Sequence, residues 1–139
     1  MPNRILIVDD DPTVRQFVDL ILTQHGYHVS TAATPDTAMQ ILGRESFGLV
    51  LLDIRMPGMS GLDILRLMRA RQNRPKILMM TSQRDPGTIM QAIEQGAVGY
   101  LVKPFKPLDL LKRVDAIMRP APAKAAAAPG KPDDAFMLD

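Results

Sequence analysis

The sequence contains no cysteine, only 4% aromatic residues and no long apolar run among its 139 positions. The absence of cysteine excludes a disulfide framework, a thiolate metal site and a cysteine nucleophile. The amino-terminal segment MPNRILIVDDD reaches acidic residues after four consecutive apolar ones, too few for a signal peptide or a membrane span. We therefore expect a cytoplasmic protein that makes no contact with a membrane.

The chain also lacks a strong excess of charge. Its net charge is +2 and 46% of its residues are hydrophobic, which is typical of one globular domain. One cluster of cations stands out, at Arg66, Arg69, Arg71, Arg74 and Lys76. No aromatic residues that stack on bases lie among them, and cations near a helix end complement its dipole. We interpret the cluster as a helix terminus and expect no direct contact with nucleic acid.

Short aliphatic runs predict five β-strands, at ILIV (5–8), YHVSTAA (27–33), LVLL (49–52), ILMM (77–80) and GYLV (99–102). The strongest runs are too uniformly apolar for a sheet with one face in water, which favours a parallel sheet covered on both faces. Amphipathic segments between the runs predict a helix after each strand, and the second strand, the most polar, suits an edge. The predicted fold class is therefore α/β, five strands with helices on both faces.

Proline and glycine mark the expected ends of the helices. Three helices begin with a capping side chain before a proline, at Asp11-Pro12, Thr34-Pro35 and Asp85-Pro86. Pro107 opens a fifth helix without such a cap. Three glycines stand where helices are expected to end, at Gly26, Gly43 and Gly96.

The composition changes after Arg119, because seven of the 20 residues at 120–139 are alanine and four are proline. We expect residues 1–119 to form the domain and residues 120–139 to form a flexible Ala- and Pro-rich tail. The final segment DDAFMLD places three apolar residues among acids. It is consistent with a short docking peptide or with a frayed terminus, and a frayed terminus is the more common case.

Reactive polar residues follow four of the predicted strands: Asp9 and Asp10, Asp53, Thr81, and Lys103. Open α/β sheets bind ligands at this edge, at the point where the strand order reverses. In the flavodoxin-like order 2-1-3-4-5 the first and third strands are neighbours, which brings Asp53 to face Asp9 and Asp10. The next two strands then bring Thr81 and Lys103 alongside.

Three carboxylates packed this closely repel one another unless cations neutralise them. Mg²⁺ suits such a site, because it prefers oxygen ligands and keeps waters that a phosphate oxygen can replace. Mg²⁺ and Lys103 together balance the three negative charges, so the site can take one more anion. Asp53 is the best candidate to accept a phosphoryl group, since carboxylates form acyl phosphates and this acid stands alone after an apolar strand. Thr81 and Lys103 are suited to bind the phosphoryl oxygens.

Four segments, ILIVDDDP, LLDIRMPGMSG, MMTS and GYLVKPF, resemble the receiver domain of two-component response regulators. The resemblance covers about residues 1–119, and its motifs occur in the family's order and spacing. It implies that Asp53 is phosphorylated by a histidine kinase or a histidine phosphotransfer protein. It also implies that Asp10, Asp53 and the backbone carbonyl of Arg55 bind Mg²⁺, with Asp9 acting mainly through water.

The resemblance further implies a conformational switch. Thr81 would move onto the phosphoryl group and Tyr100 would turn inward, which remodels the face formed by the fourth helix, fifth strand and fifth helix. The Lys103-Pro104 peptide bond would be cis. Arg55 and Gln83 stand at positions that vary in the family and tune the access of water to the phosphoryl group.

Other functions compete with this interpretation. A haloacid-dehalogenase-like phosphatase would use Asp9-x-Asp11, Thr81 and Lys103, but it also requires an acidic pair after a later strand, where the sequence has PFKPLDLL. A flavodoxin-like electron carrier would require a hydroxyl-rich phosphate loop, and DDDP would repel the phosphate of FMN.

The remaining question concerns the architecture of the protein. We expect a single-domain regulator that acts on a downstream protein by contact, as a monomer or as a phosphorylation-dependent homodimer. The alternative is the amino-terminal receiver of a longer regulator whose output domain follows the tail. A reading frame that continues past Asp139 would overturn the first expectation.

Overall fold

Five strands alternate with five helices in the computed structural model, which describes residues 3–71, 74–82 and 86–119. The strands are β1 (Arg4–Val8), β2 (His28–Ala32), β3 (Leu49–Asp53), β4 (Lys76–Thr81) and β5 (Gly99–Val102). The helices are α1 (Pro12–Gln24), α2 (Pro35–Arg44), α3 (Gly61–Arg69), α4 (Pro86–Glu94) and α5 (Pro107–Met118). The predicted tail at 120–139 lies outside the described residues, as do Gln83 and the predicted cap Asp85.

All five strands are parallel and are ordered β2-β1-β3-β4-β5. This confirms the predicted order and the edge position of the second strand. Because β1 and β3 are neighbours, the residues that follow them meet at one edge of the sheet. We call this edge the carboxyl edge, and the opposite one the amino edge.

The core lies in two layers, one on each face of the sheet. Leu6 and Val8 of β1 pack with residues of α2, α3 and α4, whereas Ile5 and Ile7 pack with residues of α1 and α5. Successive side chains of a strand point to opposite faces, so one uniformly apolar strand supplies both layers. β3 is buried along its whole length, which is why the sequence shows a continuous apolar run there.

Capping residues begin the helices where the sequence predicts them. The side chain of Asp11 accepts a hydrogen bond from the Thr13 amide, and that of Thr34 accepts one from the Thr37 amide. α5 begins without a side-chain cap, as expected. Gly26 and Gly96 follow α1 and α4 with φ of 96° and 109°, values that favour glycine.

The prediction for Gly43 is wrong, because α2 continues through this residue to Arg44. The helix ends when Glu45 adopts an extended backbone, with φ of −133°. The Glu45 carboxylate forms an ion pair with Arg4 at the start of β1. A change of backbone direction toward a tertiary partner therefore ends this helix, and no left-handed glycine is required.

The last turn of α5 is tied to the turn before β2. The Asp115 carboxylate accepts a hydrogen bond from the Tyr27 hydroxyl and lies 3.0 Å from His25 Nε2. The Arg119 guanidinium stacks over the Tyr27 ring, 4.5 Å from its centroid. Burial and the Asp115 carboxylate raise the pKa of Tyr27 to about 12, which keeps the phenol protonated. These contacts hold Arg119, the last described residue, at the amino edge of the sheet.

None of the helices in the three described ranges combines the length and the apolar composition that crossing a membrane requires.

Candidate functional site

Three carboxylates meet at the carboxyl edge. Asp9 and Asp10 follow β1, Asp53 is the last residue of β3, and one oxygen of each lies within 4.8 Å of the other two. Asp9 and Asp53 are buried, whereas Asp10 is exposed. Oxygen ligands around one Mg²⁺ ion lie about 2.1 Å from it, so small rotations of these side chains suffice to bind one. The donor set is therefore suited to a hard divalent cation with one side open to solvent.

Lys103 supplies the positive charge inside the described site. Its Nζ lies 2.7 Å from Asp9 Oδ2 and 3.6 Å from Asp53 Oδ2. The backbone amide of Lys103 donates a hydrogen bond to the Thr81 carbonyl, which attaches the end of β5 to the end of β4. The Lys103–Pro104 peptide bond is cis, as expected.

Both carboxylate oxygens of Asp9 and its backbone carbonyl accept hydrogen bonds from protein groups. Its Oδ1 accepts a hydrogen bond from the Asp11 amide, at 2.9 Å, and its Oδ2 accepts one from Lys103. Arg15 donates to the Asp9 backbone carbonyl, at 2.7 Å. The sequence analysis did not select Arg15. Its position one turn into α1, the helix that follows Asp9 and Asp10, could have indicated this contact. A carboxylate held on both oxygens is positioned to bind a cation and is poorly placed to attack a substrate.

Asp53 has one oxygen that no described donor occupies. Its Oδ1 accepts a hydrogen bond from the Arg55 amide, at 3.2 Å, while its Oδ2 has only the longer contact with Lys103. Burial, followed by the negative charge of Asp9, raises the pKa of Asp53 to about 6. The Oδ2 lone pairs are therefore the more available nucleophile of the two buried aspartates.

Gly61 fixes the loop that follows Asp53. A Cβ atom at this position would lie 2.4 Å from the Asp53 carbonyl oxygen and 2.7 Å from Ile54 Cα. The Gly61 amide donates a hydrogen bond to the Ile54 carbonyl, at 2.8 Å. The first turn of α3 therefore packs directly on the backbone of the candidate acceptor. The sequence motif contained this glycine, but only the path of the loop explains it.

The structure places the three remaining described residues of the predicted site at different distances from the carboxylates. Thr81 is buried at the end of β4, on the same edge as the carboxylates. Tyr100 lies on β5 opposite Met79, two positions before the end of its strand. Its ring packs against the α2–α4 layer and under the Arg113 guanidinium, 5.8 Å from the ring centroid. Arg55 is exposed, and its backbone contacts Asp53.

Comparison with known families agrees with this geometry. The model of the response regulator receiver domain matches residues 5–115. The chain belongs to the receiver domain family of response regulators. A receiver domain functions in signalling, which confirms the resemblance drawn from the sequence and the coarse assignment of function.

Individual relatives of this receiver domain include the DNA-binding response regulator MtrA of Mycolicibacterium smegmatis. It is 37% identical over 119 residues, which cover 86% of this chain and 52% of that protein. The protein PetR of Rhodobacter capsulatus is 36% identical over 128 residues, 92% of this chain and 54% of that protein. The chain therefore spans about half the length of the curated relatives it matches.

Solved structures of complete receiver domains are also similar. The CheY-like receiver domain protein of Methanospirillum hungatei superposes with a TM-score of 0.79 at 33% identity, covering 84% of this chain and 93% of that one. The chemotaxis response regulator CheY4 of Vibrio cholerae gives a TM-score of 0.78 at 34% identity, with coverages of 82% and 97%. These similarities confirm the predicted fold.

We expect Gly61→Ala to lower the free energy of unfolding by about 1–3 kcal/mol, because the new methyl group collides with backbone atoms that cannot rotate away. Gly43→Ala is the matched control. A Cβ at Gly43 meets nothing within 4 Å, so alanine should raise helix stability by up to about 1 kcal/mol. Urea unfolding monitored by circular dichroism measures both variants. Equal effects of the two substitutions would contradict the close packing at Gly61.

We expect Asp53→Asn to stabilise the protein in the presence of EDTA, and more so at higher pH. Because the pKa of Asp53 is raised to about 6 in the folded protein, its ionisation costs folding free energy only as the pH rises from about 4 through 6. The gain should reach up to about 3 kcal/mol near pH 7.5 and vanish near pH 4. Asp36→Asn, at an exposed aspartate in the first turn of α2, should instead lower stability by up to about 1 kcal/mol near pH 7.5, because it removes a favourable interaction with the helix dipole. A pH-independent gain would refute the raised pKa.

Proposed function

We propose that Asp53 accepts a phosphoryl group from a phosphohistidine, carried by a histidine kinase or a histidine phosphotransfer protein. The buried Asp53 carboxylate at the carboxyl edge carries this proposal, because its Oδ2 accepts no hydrogen bond from the part of the chain that the structure describes. Asp53 Oδ2 attacks phosphorus, the bond between phosphorus and the imidazole nitrogen breaks, and its electron pair returns to the imidazole. We expect the reaction to take place in the cytoplasm, where ATP charges such kinases.

Mg²⁺ is part of the proposal. Asp10 and Asp53 would hold the ion directly together with the Arg55 backbone carbonyl, and Asp9 would act mainly through water. When bound, the ion would supply positive charge that offsets the repulsion between the carboxylates and the incoming phosphoryl oxygens. Lys103, already 3.6 Å from Asp53 Oδ2, is placed to pair with one of those oxygens. The protein therefore assists its own phosphorylation, and we do not assign it an independent enzyme activity.

The signal would leave through the surface formed by α4, β5 and α5. Phosphorylation adds negative charge and strong acceptor oxygens beside Thr81, whose hydroxyl would turn toward them. Tyr100, packed between the core and Arg113, would then move inward. The apolar side chains of Met90 and Ile93 are exposed on α4. A downstream protein, or a second phosphorylated copy, would bind this surface.

A longer regulator is the second candidate, because the chain spans about half of relatives such as MtrA. In that case the same switch would act on an output domain that follows the tail. The length of the reading frame beyond Asp139 distinguishes the two architectures. A phosphatase of the haloacid dehalogenase type is disfavoured, because both oxygens of Asp9, its required nucleophile, are occupied.

We expect the full chain to gain the mass of one phosphoryl group when incubated with acetyl phosphate and Mg²⁺. Asp53→Ala should abolish the gain, and EDTA should suppress it in the unmodified protein, because the metal offsets the charge of the incoming group. Intact-mass spectrometry with peptide mapping of the acyl phosphate makes the measurement. An increment retained in Asp53→Ala, or mapped to Asp9, would refute the proposal.

We expect Arg55→Ala to shorten the lifetime of the phosphorylated protein. Arg55 follows the acceptor by two residues and is exposed, so we expect removal of its side chain to widen the access of water to the phosphoryl group. The decay of the phosphorylated form after removal of the phosphodonor measures the rate. Arg66→Ala, which removes an exposed arginine of α3, serves as control. Identical decay in both variants and in the unmodified protein would remove the role of Arg55.

A further inference from the structure

Arg15 is a half-buried residue of α1 whose side chain reaches the carboxyl edge. Its guanidinium donates a 2.7 Å hydrogen bond to the backbone carbonyl of Asp9. It forms no ion pair within residues 3–71, 74–82 and 86–119, although three aspartates precede its helix in the chain. The helix dipole does not account for this cation, because the amino end of a helix favours negative charge. The bond to a neutral carbonyl is therefore the contact that distinguishes this side chain.

The Asp9 carbonyl needs a donor because Asp9 is completely buried. The Asp9 amide donates to the Ala32 carbonyl, which continues the pairing of β1 with β2. Arg15 supplies the donor for the carbonyl oxygen of the same residue. The peptide unit that joins Asp9 to Asp10 is planar, so fixing its oxygen also fixes the direction of the Asp10 amide. Arg15 therefore orients the backbone at the point where Asp10 begins.

The backbone on the other side of Asp10 is fixed as well. The Asp11 amide donates to Asp9 Oδ1, and the Asp11 side chain caps α1 by accepting a hydrogen bond from the Thr13 amide. The Asp10 carboxylate, by contrast, is exposed and has no hydrogen bond or ion pair in the part of the chain that the structure describes. Its position beside the other two carboxylates consequently depends on the backbone that carries it.

Repulsion within the carboxylate cluster has its largest effect on the conformation of Asp10. Asp9 is bound through both of its oxygens, and Asp53 is bound through the Arg55 amide. The Asp10 carboxylate can therefore turn toward water, away from the negative charge of its neighbours. Without the Arg15 bond the preceding peptide unit gains conformational freedom, which must be lost again when the carboxylates converge on a cation. The bond thus stabilises the convergent arrangement in advance.

We propose that Arg15 is a positioning residue for the divalent cation, and that it raises the affinity of Asp9, Asp10 and Asp53 for Mg²⁺. The inference rests on the proposed Mg²⁺ site. The charge of Arg15 has the opposite effect, because a guanidinium repels a second cation. Groups that orient metal ligands by hydrogen bonding commonly change metal affinity about 10–100-fold. A charge that water and salt screen contributes less, so the positioning effect is the larger of the two.

Arg15→Met separates the two effects by the sign of the change, because methionine keeps an unbranched stem and has neither a charge nor an N–H donor. We expect the Kd for Mn²⁺, measured from the electron paramagnetic resonance signal of the free ion, to rise about tenfold. Loss of the charge alone would lower this Kd. Arg15→Lys, which keeps a cation and N–H donors, should recover most of the affinity.

Two controls accompany the titrations with Mn²⁺. Lys112→Met removes an exposed cation of α5 and should leave the Kd within about twofold of that of the unmodified protein. Circular dichroism verifies that each variant is folded at the temperature of the titration. Arg15→Gln, which also removes the charge and has a shorter side chain, takes the place of Arg15→Met if the methionine variant unfolds.

The dependence of phosphorylation on Mg²⁺ gives a second measurement. We expect Arg15→Met to raise the Mg²⁺ concentration that gives half of the maximal rate with acetyl phosphate about tenfold. The maximal rate should stay within about twofold, because saturating Mg²⁺ restores the position of Asp10. A general loss of structure would lower the maximal rate instead.

An unchanged or lower Kd for Mn²⁺ in Arg15→Met would overturn the proposal, and so would equal losses of affinity in Arg15→Lys and Arg15→Met. A maximal rate that falls while the half-saturating Mg²⁺ concentration stays constant would also overturn it. Failure of the unmodified protein to bind Mn²⁺ would refute the metal site and this inference together. Binding of Mn²⁺ requires no phosphoryl group, so an unmodified protein that binds Mn²⁺ but gains no mass from acetyl phosphate would refute the role of Asp53 alone.

Discussion

The mutual repulsion of three carboxylates at one edge of the sheet is the constraint on which the site depends. Asp9 and Asp53 come from neighbouring strands and are both buried, so water cannot screen their charges. Lys103 offsets part of this repulsion from the far side of β4, at 2.7 Å from Asp9. The site therefore exists only when β1, β3, β4 and β5 are paired in the observed order. Its remaining negative charge makes a divalent cation a favourable addition.

The two buried aspartates differ in their bonding, and this difference favours different proposed roles. Protein donors occupy both oxygens of Asp9, whereas among the described residues Asp53 Oδ2 has only a 3.6 Å contact to a cation. Gly61 holds the backbone of Asp53 because its amide bonds to the Ile54 carbonyl. Among the described residues, Asp53 thus has a fixed backbone and one side-chain oxygen that accepts no hydrogen bond, a combination suited to the nucleophilic role proposed for it.

Patterns along the chain were sufficient to predict the strands, their order and the carboxylate cluster. Continuous apolar runs identify strands buried on both faces, and acids directly after them must meet at one edge of a parallel sheet. The incorrect prediction at Gly43, and the contacts that the sequence did not indicate, depend on residues that are distant in the chain. Gly43 does not end α2, because Glu45 turns toward Arg4 41 positions away. Asp115 and Tyr27 are 88 positions apart, so their hydrogen bond has no local signal.

Charge is distributed unevenly between the two edges of the sheet. Acidic residues lie at the carboxyl edge and arginines lie at the amino edge. β3 separates Asp53 from Phe47 near the amino edge, a rise of roughly 20 Å at about 3.3 Å per residue. This exceeds the screening length of about 8 Å at physiological salt. Charge at one edge therefore acts only weakly on the other through solvent. A conformational change that begins at Asp53 would reach the amino edge through β3 or the helices packed on it, and β3 is the most completely buried strand of the sheet.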